Sequence, residues 1–126
     1  MRKALVVIGL LSALVGVVQA ATAELDFDLM QNIEDTNKSL SSNIALKDAK
    51  GSSADARELH RMFTEVESHF VNRGDAPDAV DLSRKSLGLT QDIQQAVGSG
   101  QFDAASEAAA GLSRTCRACH TFYKKS

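Results

Sequence analysis

The sequence predicts an all-α fold, an antiparallel four-helix bundle of up-down-up-down topology. Two observations predict it. Apolar residues recur at three- to four-residue steps in four stretches. Three breaks rich in Gly, Ser, Asp and Pro separate those stretches, and each is too short to serve as a linker between domains. Short connections favour antiparallel neighbours.

The first helix is expected over residues 26–47. Leu29, Ile33, Leu40 and Ile44 mark one face, with Thr36 or Asn37 at the missing step. Lys50-Gly51-Ser52-Ser53 reads as the first break, with Ser52 or Ser53 as N-cap of a second helix over residues 54–72. Leu59, Met62, Phe63, Val66 and Phe70 give that helix a clear apolar stripe. Gly74-Asp75-Ala76-Pro77 is the second break, in which Asp75 can cap and Pro77 opens a third helix at little cost. That helix is expected to reach about Val97, with Val80, Leu87, Ile93 and Val97 inward and Gly88 weakening it slightly. Gly98-Ser99-Gly100 is the third break. The fourth helix starts near Phe102, is rich in Ala, and contains Cys116-Arg117-Ala118-Cys119-His120 close to the last residue, Ser126.

C-x-x-C-H is the attachment signature of c-type haem. Positions i, i+3 and i+4 share one helix face, so both sulfurs and the imidazole can meet one flat macrocycle. Cys116 and Cys119 would form the thioethers of one covalent haem c, and His120 would be the proximal ligand of its iron. Zinc needs a fourth donor and usually a second ligand pair, and the chain has no further Cys. A thioredoxin-like dithiol needs a βαβ context that the chain lacks. A disulfide across two residues would close a very small loop.

The other end of the chain suggests a compartment. Arg2 and Lys3 precede an apolar run over residues 4–18, and small residues near Ala20 and Ala23 offer cleavage sites. Residues 1–20 therefore read as a secretory signal peptide, with a mature domain over residues 21–126. The run is short for a membrane span. Haem is attached to C-x-x-C-H outside the bacterial inner membrane, so the two ends of the chain agree on a periplasmic location. The mature domain keeps 12 basic and 16 acidic residues, net −4, which argues against nucleic acid as a partner. Arg114, Arg117, Lys124 and Lys125 give the fourth helix a basic end, a candidate docking rim for an acidic redox protein. Glu65 and Glu67 read as a solvated surface, and no catalytic arrangement remains once the motif is assigned. An electron carrier is expected, not an enzyme.

In an up-down bundle His120 lies near the level of residues 27–33, 69–72 and 78–82. Met30 passes this depth filter as a candidate sixth iron ligand, and His69 passes as an alternative. Met62 and His60 lie too far along the bundle at 1.5 Å per residue. A Met/His pair saturates the iron and suits electron transfer. An open sixth site would suit a small gas, on a face lined by Phe27, Leu29, Ile33 and Phe70.

A secreted four-helix chain with Cys116, Cys119 and His120 at its C-terminal end resembles the class II c-type cytochromes, the cytochrome c′ and cytochrome c-556 group. The resemblance implies thioethers at both Cys residues and iron ligation by His120. Its low-spin branch takes a Met from the first helix, here Met30. Its high-spin branch leaves that site open and often binds nitric oxide or carbon monoxide. Many members are periplasmic, and many high-spin members form homodimers through their first two helices. Members often carry an Arg in the first helix, whereas the first basic residue of this one is Lys38.

Overall fold

The computed structural model describes residues 25–123. The signal segment with Arg2, Lys3, Ala20 and Ala23 lies outside the described residues, as do Lys124 and Lys125. Four helices account for almost all of the described chain: α1 (Phe27–Ala45), α2 (Ala49–Arg73), α3 (Pro77–Gly98) and α4 (Phe102–Tyr123). Each packs on its neighbours in chain order, and α4 closes on α1. This is the expected four-helix bundle. None of the helices is long and apolar enough to cross a membrane, among the described residues.

The core is a single cluster of the four inward faces. Ile33, Leu40 and Ile44 come from α1, and Leu59, Met62, Phe63, Val66 and Phe70 from α2. Ile93 and Val97 come from α3, and Ala105, Ala109 and Leu112 from α4. Fully burying an aliphatic side chain of this size stabilises by roughly 1.5–3 kcal/mol. Burial of these faces is the main term holding the helices together.

Two boundaries differ from the expected ones. Residues 50–53 are not a break: α2 begins at Ala49, capped by Asp48, whose Oδ1 accepts from the Gly51 backbone N at 2.9 Å. The turn is only Leu46, Lys47 and Asp48, with Lys47 at φ 55. Ser52 is then interior to the helix and fully buried. The missing side chain of Gly51 has a structural reason. A Cβ there would lie 2.7 Å from Asp48 Oδ2 and 2.8 Å from Asn43 Nδ2. Asn43 in turn donates to Asp55 Oδ2 at 2.8 Å, joining α1 to α2. The second difference is at α3. Ala76 is its N-cap with no side-chain bond, and Asp75 instead pairs with Arg73 at 2.7 Å.

The inward face of α3 is also rotated from expectation. Val80 and Leu87 are only half-buried, while Ala79, Ser83, Ser86 and Thr90 are buried beside Ile93 and Val97. The buried hydroxyls are satisfied within the helix. Ser83 donates to Ala79 O at 2.7 Å, Ser86 to Leu82 O at 2.9 Å and Thr90 to Leu87 O at 2.7 Å. A hydroxyl bonded back to its own helix can enter a core without an orphaned donor. Glu67 likewise departs from a plain solvated surface: it is half-buried and accepts from Arg84 Nε at 3.1 Å, across α2 and α3.

Because Asp48 starts α2, an Asp48→Ala variant is expected to lose about 1 kcal/mol of stability. Ser53→Ala, at the site expected from the sequence, should change stability by no more than a few tenths of that. Urea unfolding of both variants measures the difference, and equal losses would contradict the observed cap.

Candidate functional site

The inward stripe of α4 runs through Ala105, Ala109 and Leu112 and continues, one turn on, to Cys116. Cys116 packs against the core and is half-buried, and Cys119 lies on the same side one turn further. Both are free thiols. Burial pushes the Cys116 thiol up to about 11, with a smaller contribution from Cys119, and burial raises Cys119 as well. Both side chains are therefore held as neutral thiols at neutral pH. His120 is exposed beyond the edge of the core, so its imidazole is accessible.

Hydrogen bonds across the helix seams give the depth of His120. Asn37 Nδ2 on α1 donates to Ser113 Oγ on α4 at 3.1 Å. These helices run antiparallel. Seven residues along each from that bond lead to Met30 on one side and His120 on the other, about 10 Å further down the seam. Met30 is half-buried and packed against the core. The α1–α4 seam also contains a defect: Asn37 Oδ1 is buried with no partner, among the described residues. An orphaned acceptor of this kind costs about 1–3 kcal/mol.

The histidines occupy distinct settings. His69 is half-buried near the end of α2, its ring edge-on to Phe70 with centroids 5.0 Å apart. His60 lies further along the bundle, its Nδ1 2.8 Å from Thr90 Oγ1. Thr90 uses its own proton on Leu87 O, so the proton between them is assigned to His60 Nδ1, which donates. His60 is thus a structural link between α2 and α3. Met62 is fully buried in the core.

Not every expected lining residue turns inward. Ile33 and Phe70 are buried and Leu29 half-buried, but Phe27 is 76 % exposed. It stands at the first residue of α1, where no further turn of helix covers it. Phe122, 63 % exposed, stands near the end of α4 at the same end of the bundle. Arg114 and Arg117 are exposed.

The three motif donors are spread along a face and do not converge on one point. Among the described residues no group of three or more His, Cys, Asp and Glu side chains could hold a metal ion. A spread set of two neutral thiols and an accessible imidazole fits a planar group that is met at three different atoms. Sequence reasoning found these donors by spacing alone. What it lacked was the α1–α4 register, which depends on the pairing of Asn37 with Ser113. Comparison with known proteins adds nothing to this: no family model, no curated protein and no solved structure matches the chain.

Burial of Cys116 has a measurable consequence. Moving a thiol from 9.0 to about 11 lowers its thiolate fraction at pH 8 by about a hundredfold. In a Cys119→Ser variant, alkylation of Cys116 should be slow at neutral pH and rise with an apparent pKa near 11. An apparent pKa near 9 would show that the thiol is not buried.

Proposed function

We propose that the chain is a periplasmic electron carrier with one haem c, linked through Cys116 and Cys119, with His120 as proximal iron ligand and Met30 as the sixth. The observation that carries this reading is the common level of a half-buried thioether on α1 and the accessible imidazole of a C-x-x-C-H motif on α4. The resemblance to the class II c-type cytochromes supports the same ligand pair.

Each residue has a defined task. Cys116 and Cys119, held as neutral thiols on the core face, would fix the group covalently. They would set it beside His120, so the imidazole need not compete with water for a mobile ligand. Met30 would supply the second donor, its soft sulfur suiting iron. Ile33 and Phe70 are buried near this end and exclude water, which disfavours the more highly charged oxidised state. When bound, the haem supplies one-electron transfer.

Gas binding at an open sixth site is the second reading of such a protein. The placement of Met30 at the level of His120 favours the carrier over it.

The test is to secrete the chain in cells that possess haem-attachment machinery. The expected product has a mass increased by one haem that survives denaturation, and a low-spin spectrum unchanged by carbon monoxide. Met30→Ala should become high-spin and take up carbon monoxide. A wild-type protein that is already five-coordinate would replace the carrier with the gas-binding reading. A chain that acquires no covalent haem would overturn both.

A further inference from the structure

An open groove of about 850 Å³ runs between α3 and α4, reaching Ala118 at one end without Cys116, Cys119 or His120 in its wall. Its floor is apolar and shallow because α4 presents Ala104, Ala108, Gly111 and Ala118 there. Gly111 packs tightly here: a Cβ would lie 3.3 Å from Leu89 Cδ2, so that side chain would have to give by a few tenths of an ångström, and 3.6 Å from Arg114 Nη2. The same distances show that the Arg114 guanidinium folds over the groove, and they fix the register, with Leu89 of α3 opposite Gly111 of α4.

That register arranges four charges. Lys85 and Arg114 lie near one another in level, one turn from Leu89 and Gly111 toward the motif end. Asp92 and Glu107 lie one turn away in the other direction. All four are exposed, and the ion pairs among the described residues use none of them. They cannot pair within the groove. Like charges share a level, and opposite charges on each helix are seven residues, about 10 Å, apart. The groove therefore has a cationic end and an anionic end on either side of an apolar centre.

We infer that this groove is a self-association face, occupied by the same face of a second copy. A two-fold axis perpendicular to the groove brings Lys85 and Arg114 of each copy against Asp92 and Glu107 of the other. It also brings the Leu89–Gly111 centres together. A surface whose two halves carry opposite charge is its own complement under such an axis, which is the condition for a closed isologous dimer. Placing like charges at one level disfavours the parallel arrangement by several-fold or more. The inference does not depend on the haem reading, since no motif donor lines the groove.

Charge reversal tests it. The mature chain should show concentration-dependent dimers by analytical ultracentrifugation at low ionic strength, weakened by salt. Lys85→Glu with Arg114→Glu makes the groove uniformly acidic, and Asp92→Lys with Glu107→Lys makes it uniformly basic. Each double variant should associate with itself about a hundredfold more weakly than wild type, with helical circular dichroism unchanged. An equimolar mixture of the two should recover the dimer. The proposal is overturned if wild type stays monomeric at every concentration, which assigns the groove to a foreign helix or small ligand. It is equally overturned if the variants dimerise as wild type does, which places the interface elsewhere, or if the mixture stays monomeric.

Discussion

The rotation of α4 about its own axis is the constraint on which the rest depends. Ala105, Ala109 and Leu112 are buried, and that stripe can face the core in only one orientation. Cys116 falls on its continuation, so core packing alone carries the first thiol inward. A rotation by one residue, about 100°, would bury Ala108 in place of Ala109 and turn Cys116 out of the core. The same setting directs Gly111 toward α3, where its missing side chain leaves room for Leu89. One helix thus carries the core and the first cysteine on one strip of its surface and the groove floor on the next.

The four-helix architecture was legible in the sequence because α2 carries large apolar residues at regular steps and the connections are short. Its stripe from Leu59 to Phe70 is buried as the spacing implies. The fold was least legible where small or hydroxylated residues do the packing. The apolar spacing of α3 does not mark Ser83, Ser86 or Thr90, yet they are three of its seven buried residues, and each returns its hydroxyl proton to a carbonyl one turn back. The start of α2 is hidden for a similar reason. Gly51 and its two serines have the composition of a loop, and only the proximity of Asn43 and Asp48 explains a glycine inside a helix.

The candidate site divides in the same way. Cys116, Cys119 and His120 are local, so their shared face follows from helix geometry alone. Met30 is 90 positions away in sequence from His120, and no periodicity can measure their relative depth. The bundle topology narrows the level to about two turns, and the Asn37–Ser113 bond narrows it to about one turn. Phe27 illustrates the remaining gap. Its level follows from the topology and its direction does not, because a residue at the first position of a helix has fewer neighbours to hold it inward.

The two faces of α4 are also mechanically separate. The groove is centred near Gly111, and His120 lies nine residues, about 13 Å, further along the helix. Under a perpendicular two-fold axis the motif ends of two copies point in opposite directions, roughly 25 Å apart along the bundle. Association through α3 and α4 would therefore leave the α1–α4 seam uncovered in both copies, with each His120 end open to a separate partner. A pairing through α1 and α2 would instead place the second copy beside Met30 and restrict access to the same seam. The two modes differ in whether self-association covers the α1–α4 seam, and the charge pattern on this chain lies on the side where it does not.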